Sequence, residues 1–189
     1  QVHELGSQFG TLGNTSWALD FDYQRNDGVR PNNELDRLEW YTTVKQQLTP
    51  HDTLLLLTKY EDYTSGDNFQ YYNPANARPN FRFEEHQEPI IVGGYQHEWS
   101  PGVRTLLLGG RLVNEQKFSD LQAPQLLLIE DGSGAITASD SQPFDVVLRD
   151  KLEIYTAEIN QIFRRERFGI VAGALWQGGD FDFANPLSN

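Results

Sequence analysis

The chain contains no cysteine, no methionine and no long apolar run. Without cysteine there is no thiol nucleophile, no disulfide framework and no zinc–thiolate site. The longest purely apolar runs, residues 54–57 and 126–129, hold four residues each. A membrane-spanning helix needs roughly 18, so the sequence excludes a helical membrane protein. No basic segment followed by an apolar one opens the chain, which predicts a mature chain or an internal segment.

Basic residues are also in short supply. The formal net charge is -12 and the isoelectric point is near 4.6. Nucleic-acid binding depends on lysine and arginine that neutralise phosphates, so a DNA or RNA partner is not expected. In contrast, 38% hydrophobic and 12% aromatic residues supply the apolar surface that a disordered chain lacks. The chain should fold.

The dominant pattern is alternation of apolar and polar residues with period two, which predicts β-strands. Residues Trp17, Leu19, Phe21 and Tyr23 alternate with polar or small neighbours. Seven segments of this kind predict seven long strands, at residues 15–25, 35–48, 53–63, 88–99, 103–113, 152–163 and 168–178.

Short and long connections alternate between these strands. Tight polar turns are predicted at residues 49–52, 100–102 and 164–167, whereas the other connections are long and rich in Asn, Asp, Gly and Pro. The longest, residues 114–147, is predicted to be an outer loop that contains a small hairpin closed at residues 131–134. Short turns at one end and long loops at the other are typical of bacterial outer-membrane β-barrels.

The predicted fold class is therefore all-β: an antiparallel up-and-down transmembrane β-barrel with short periplasmic turns and long outer loops. Seven strands would leave two unpaired edges, which lipid does not tolerate. We therefore expect residues 1–189 to be one segment of a larger barrel, incomplete at both ends.

Alternation also predicts which side chains face lipid and which face a hydrated lumen. On the strand at residues 103–113, it favours Leu106, Leu108, Gly110 and Leu112 as lipid-facing. The predicted pore-lining side chains are Asp20, Asp22, Arg37, Glu39, Lys45, Lys59, Glu61, Gln96, Arg111 and Glu158. Aromatic side chains at similar distances from the tight turns predict interfacial girdles, formed by Trp40, Tyr60, Trp99, Tyr155, Phe163 and Trp176.

Three stretches, residues 60–72, 81–85 and 94–102, resemble the C-terminal barrel region of bacterial outer-membrane proteins that carry N-terminal tetratricopeptide repeats. Residues 152–158 are similar to the same region. The resemblance implies a porin-like or export role in the outer membrane of a Gram-negative bacterium. It also implies helical repeats before Gln1, with periplasmic or secretion-system proteins as partners, and it supplies no catalytic residue.

Residues that could carry chemistry are scattered. The four histidines show no metal-binding spacing, and no nucleotide-binding or nucleophile motif occurs. Glu84, Glu85 and Glu88 could supply a carboxylate pair for glycoside hydrolysis. Asp62 with Asp67, or Asp180 with Asp182, could hold Ca²⁺ in a loop, although no EF-hand pattern is present. We assign no catalytic residue, no cofactor and no metal ligand.

The leading hypothesis is a passive outer-membrane pore for polar solutes or polymers. The alternative from another class is a soluble β-sandwich or jelly-roll module that binds carbohydrate through an aromatic loop at residues 69–72. A glycoside-active enzyme that uses Glu84 or Glu85 is the third hypothesis.

Overall fold

The computed structural model describes residues 1–71, 73–185 and 187–188, most of which are in β-strands. The strands are β1 (Val2–Leu12), β2 (Thr15–Asn26), β3 (Leu35–Gln47), β4 (Asp52–Ser65), β5 (Phe81–Ser100), β6 (Val103–Glu130), β7 (Ile136–Arg164), β8 (Gly169–Ala184) and β9 (Leu187–Ser188). One short 3-10 helix lies at Pro74–Asn76. No helix in the described part of the chain is long and apolar enough to cross a membrane.

Each of the eight long strands pairs antiparallel with the next one along the chain. They form one sheet in the order β1 to β8, and the short β9 pairs with β7. The predicted all-β, antiparallel, up-and-down arrangement is confirmed. Between the described residues of β1 and β8 there is no pairing, so the sheet is open.

The strand count differs from the prediction because an eighth long strand, β1, precedes β2. Its larger apolar residues, Val2, Leu5, Phe9 and Leu12, are spaced by three and four residues, so they give no period-two signal. A two-residue Gly13-Asn14 connection, with Gly13 at φ 58°, closes the β1–β2 hairpin. The argument for a larger barrel from an odd strand number is therefore wrong, whereas the two open edges remain.

Tight turns lie at one end of the sheet, as predicted, and there are four of them. They comprise residues 13–14, 48–51, 101–102 and 165–168. The connections at the other end are longer, at residues 27–34 and 66–80. The chain therefore runs back and forth between an end of tight turns and an end of longer loops.

The prediction of a long outer loop at residues 114–147 is wrong. Residues 114–130 continue β6 and residues 136–147 belong to β7. The hairpin turn predicted at 131–134 lies in the connection 131–135, which joins these two strands directly. The period-two signal is lost here because Asn114, Glu115, Gln116 and Lys117 make both faces of β6 polar. A strand that is polar on both faces looks like a loop in sequence.

The sheet has almost no interior. Among the described residues, the buried apolar side chains are only Phe81, Val113 and Ala123. The accessible surface is 12943 Å², whereas a compact monomer of 21.6 kDa would expose about 9,200 Å². Backbone hydrogen bonds hold the strands together, but a single sheet does not cover its own faces.

The β5–β6 turn depends on one glycine. Pro101 and Gly102 form a two-residue connection, and Gly102 has φ +80°, the left-handed conformation that disfavours other residues. A Cβ on Gly102 would also clash with the carbonyl oxygen of Arg164. That close approach accompanies a hydrogen bond of 2.7 Å from the Arg164 amide to the Gly102 carbonyl.

We predict that Gly102→Ala lowers the free energy of unfolding by about 1–2 kcal/mol or more, because it combines backbone strain with a clash. The measurement is urea unfolding followed by tryptophan fluorescence. Gly132→Ala is the control, since Gly132 has no atom near its Cβ position and no positive φ. Equal stability of the two variants would show that the turn tolerates a side chain.

Candidate functional site: the two faces of the sheet

Strand register divides the side chains into two faces. Directly paired residues share a face, and the pairs Trp40–Tyr60, Leu54–Tyr95 and Leu107–Ile159 belong to what we call the apolar face. The opposite side, which we call the charged face, holds pairs such as Asp22–Glu39, Tyr41–Lys59 and Leu108–Glu158. The two faces differ in charge at the same height of the sheet.

A charge-free band crosses the apolar face. The lower limit of the band is the level of Asp52 and His97, and its upper limit is the level of Asp62 on β4 and Arg111 on β6. Between these limits, the apolar face of the described strands β2 to β8 carries no acidic or basic side chain. Its residues are half-buried or exposed, with Leu107 exposed by 42% and Ile159 by 48%. Eight residues separate Asp52 from Tyr60 on β4, which spans about 20 Å for a strand tilted by about 40°.

Aromatic side chains border this band. Near its upper edge, the rings of Trp40 and Tyr60 stack at 5.8 Å, and the Arg111 guanidinium lies 6.0 Å from the ring of Tyr155. Trp176 pairs with Ala157 on the same face. At the turn end, Phe163 pairs with Val103 and Ile170.

The lower border also contains a polar cluster. Tyr95 donates a hydrogen bond of 2.6 Å to the carboxylate of Asp52, and His97 lies 2.7 Å from the same oxygen. The ring of Trp99 packs edge-to-face against His97 at 4.3 Å, and its Nε1 donates to Thr105 over 2.8 Å. The six predicted girdle aromatics therefore fall at the two edges of the band; their girdle role remains a prediction.

Four side chains of alternating charge form a network on the charged face. Lys59 Nζ lies 3.0 Å from Glu61 and 3.8 Å from Glu39, while Arg37 pairs with Glu39 and lies 3.5 Å from Glu61. Glu39 and Glu61 are directly opposite each other, and Asp22 is opposite Glu39 on the other side. Three carboxylates thus line up across β2, β3 and β4, and the two cations Arg37 and Lys59 lie beside them, which leaves an excess of one negative charge.

Nine of the ten predicted pore-lining residues lie on the charged face, and Arg111 does not. Arg111 is paired with Ile91 and Tyr155 on the apolar face. It lies 2.8 Å from Glu88 and 3.0 Å from Glu153. This salt-bridged position at the upper edge of the charge-free band corrects the sequence-based assignment.

The same correction applies to the whole face assignment of β6. Leu106, Leu108, Gly110 and Leu112 lie on the charged face, and Leu107 lies on the apolar one. Three successive leucines fill both faces, so alternation within β6 could not decide between them. Pairing with β5 and β7 decides it.

The sheet is curved, as side-chain exposure on the central strands indicates. Leu54 and Leu56 on the apolar face are 41% and 45% exposed, whereas Leu55 and Leu57 on the charged face are less exposed. Gly94 lets Leu55 and Leu108 approach each other over β5, because a Cβ there would lie 2.9 Å from Leu108 Cδ2. Side chains crowd on the concave side of a bend, so the charged face is the concave one.

Above the aromatic border, the apolar face becomes densely charged. Glu84 lies 3.1 Å from Lys117, and Glu115 pairs with Lys151 across the β6–β7 ladder. Glu85 points to the other face, where it accepts hydrogen bonds from Asn114 and Gln116 over 2.7 and 3.0 Å. Glu84 and Glu85 therefore cannot act together as the carboxylate pair of a glycoside hydrolase.

The loops at this end are held together by a buried carboxylate. Asp67 is fully buried and accepts hydrogen bonds from the amides of Arg78 and Phe69, at 2.6 and 3.1 Å, and from the hydroxyl of Tyr71 at 3.1 Å. Arg30, from the β2–β3 loop, lies 3.4 Å from the carboxylate and donates to the Asp67 carbonyl over 2.7 Å. These contacts lock the two long loops together.

The aromatic loop and Asp67, one of the predicted calcium positions, have structural roles; Asp180 and Asp182 lie on β8, opposite Glu153 and Lys151. Phe69 packs edge-on against Phe81 at 5.6 Å, and Tyr71 lies under Arg30; Tyr72 lies outside the described residues. Within the described residues, no group of three or more His, Cys, Asp or Glu side chains could hold a metal ion.

Comparison with models of known protein families, with curated proteins and with solved structures gives no match. The resemblance to repeat-bearing outer-membrane proteins is therefore a prediction from the residues alone.

We predict that Asp67→Asn loosens the long loops. Burial would raise the pKa of Asp67, but the donors around it outweigh burial and hold that pKa below its usual value. The variant places an amide against the Arg78 amide and removes the negative charge, at a cost of about 2 kcal/mol. Chymotrypsin should then cleave faster at Phe69 or Tyr71, which limited proteolysis would detect.

The stability difference between the protein and its Asp67→Asn variant should depend on pH in one direction. A carboxyl with a lowered folded pKa stabilises the protein above its unfolded pKa, about 3.9, and this contribution is lost as the pH falls through the folded pKa. The protein and its Asp67→Asn variant should therefore converge in acid. Asp27→Asn, at an exposed carboxylate of the β2–β3 loop, is the control, and equal cleavage of both variants would contradict the role of Asp67.

Proposed function

We propose that this chain forms part of a bacterial outer-membrane β-barrel that provides a passive pore for polar solutes or polymers. The observation that carries the proposal is the exposed, charge-free band on the convex face, bordered by aromatics, with ion-paired side chains at similar heights on the concave face. Lipid-facing and lumen-facing surfaces of such barrels differ in this way. The chain would act without chemistry of its own.

The energetic argument is that the apolar band needs a cover. Apolar area that stays exposed to water costs free energy, at about 25 cal/mol per Å². Large exposed apolar patches therefore mark interaction surfaces. A soluble β-sandwich would cover it with a second sheet, but the described residues form one sheet only. A bilayer covers a band of this height without a second sheet.

Barrel closure is part of the proposal. In lipid, the unpaired amide and carbonyl groups along β1 and β8 would each cost several kcal/mol. Pairing with further strands of the same protein would satisfy these groups and complete the cylinder. We therefore propose that the eight long strands are a segment of a larger barrel.

The charged concave face fits a hydrated lumen. Asp20, Asp22, Glu39, Glu61 and Glu158 are acidic, and Arg37, Lys45 and Lys59 are basic. Mixed charge favours water and polar solutes, and the excess of carboxylates predicts a preference for cations. We expect outer-membrane lipid as the surroundings, periplasmic or secretion-system proteins as partners, and no nucleic acid.

We predict that Ile159→Arg destabilises the inserted protein and Asn160→Arg does not. The two positions are adjacent on β7, but Ile159 lies in the apolar band and Asn160 beside Glu158 on the charged face. Arginine on the lipid face near the bilayer midplane costs about 2–4 kcal/mol. Urea unfolding from lipid vesicles measures the difference; equal costs, or a stable detergent-free monomer, would remove the membrane assignment.

We predict cation-selective conductance for the intact protein in planar bilayers. Replacing Glu39 and Glu61 by glutamine should reduce the cation preference measured from the reversal potential in a salt gradient. The matched control, Glu84→Gln with Glu115→Gln, removes the same charge from the apolar face above the aromatic border. No conductance, or the same selectivity in both variants, would contradict the pore assignment.

A further inference from the structure

The β6–β7 hairpin extends far beyond its neighbours. β5 begins at Phe81, opposite Asp120, and β8 ends at Ala184, opposite Arg149. Beyond these levels, β7 pairs with β9 at Asp145 and Val146, and residues 121–130 of β6 pair only with β7. We call residues 121–145 the ribbon; its paired strands run for about ten residues, or roughly 33 Å at 3.3 Å per residue.

A β-bulge fixes the base of the ribbon. The register shifts between Asp120 and Ala123, and Gln122 adopts φ 58°, an uncommon conformation for a residue other than glycine. Asp145 holds it there by accepting from the Gln122 amide and side chain over 2.9 and 3.1 Å. Bulges of this kind re-aim a strand, so the ribbon's direction is built into the fold.

The β6 strand of the ribbon has an open apolar edge. Its residues 126–129 are exposed by 69%, 38%, 55% and 48%, and their backbone pairs with β7 on one side only. They alternate between the two faces, so both faces are apolar along this strand. The facing β7 residues, 138–141, are Ala138, Ser139, Asp140 and Ser141.

All the charged side chains of the ribbon are acidic. It contains Glu130, Asp131, Asp140 and Asp145, and no lysine, arginine or histidine occurs in residues 118–148. Asp140 is directly opposite Leu127, and Glu130 follows Ile129 on the open strand. The apolar strand edge therefore lies in a region of negative electrostatic potential.

We propose that residues 125–130 bind an extended segment of a partner protein by strand addition, and that this segment alternates apolar and basic side chains. Its backbone would pair with the open edge of β6, its apolar side chains would cover Leu127 and Ile129 on one face, and its lysines or arginines would lie on the opposite face beside Glu130. Asp140, on the face of Leu127, adds to the negative potential that attracts them. Strand addition to an exposed edge is an established mode of peptide recognition. Complementary charge would set the partner's identity and direction.

Charge argues against a second copy as the occupant. Two ribbons side by side would bring eight carboxylates together with no cation between them. An isolated two-stranded ribbon is at best marginally stable in water, so a third strand would gain hydrogen bonds and buried apolar area together. A basic partner strand would supply the hydrogen bonds and the buried apolar area without charge repulsion.

The test uses the intact protein and a labelled peptide in which valine and lysine alternate over seven residues, with fluorescence anisotropy as the readout. The peptide should bind, and Glu130→Gln with Asp140→Asn should weaken binding at least tenfold. Glu4→Gln with Glu166→Gln, which removes the same charge far from the ribbon, should leave binding unchanged. A peptide with glutamate in place of lysine should not bind.

The absence of cysteine allows the edge to be identified. With a mild oxidant added, Gln125→Cys on β6 should form a disulfide with a cysteine-bearing valine–lysine peptide, because neighbouring strands bring Cβ atoms within bonding reach. Ser139→Cys, on the β7 strand, should not. Cross-linking at Ser139 alone, equal binding of the glutamate peptide, equal weakening by the control variants, or a ribbon-dependent dimer would each overturn the proposal.

Discussion

A single layer of hydrogen-bonded strands has no interior, and every other property of this protein follows from that constraint. The ladders from β1 to β8 satisfy backbone groups within the sheet, but they bury almost no side chains. Stability therefore depends on what covers each face. The two faces have chemically different surfaces, so they suit different surroundings: apolar on the convex side and aqueous on the concave side.

Register is what keeps these surfaces separate. Because side chains alternate with period two, slipping one strand by one residue would move all its charges into the apolar band. The pairs Leu54–Tyr95 and Leu107–Ile159 align the band across the central strands. Tight turns such as Pro101-Gly102 limit slippage, because a two-residue connection fixes which residues face each other.

Much of the fold was predictable from the sequence. Clean alternation in β2 and β3 gave their bounds to within one residue, and Lys59 and Glu61 oriented β4 correctly despite four successive leucines. Three features were not predictable in the same way. β1 has no period-two signal, residues 114–117 are polar on both faces, and Leu106 to Leu108 fill both faces of β6. In each case only pairing with a neighbouring strand shows that the segment is a strand or which face a side chain is on. Arg111 was assigned to the wrong face because alternation within β6 did not decide between the two.

The chain exposes apolar residues at two different levels, and a single covering cannot serve both. The band lies between aromatic borders and contains no charge, which suits hydrocarbon. The ribbon begins beyond a group of ion pairs that includes Glu115 and Lys151, and carboxylates lie next to its apolar run, at Glu130 and opposite Leu127 at Asp140. A surface that is both apolar and acidic cannot enter lipid, where an unpaired charge is costly. A basic, strand-forming protein segment satisfies both properties at once.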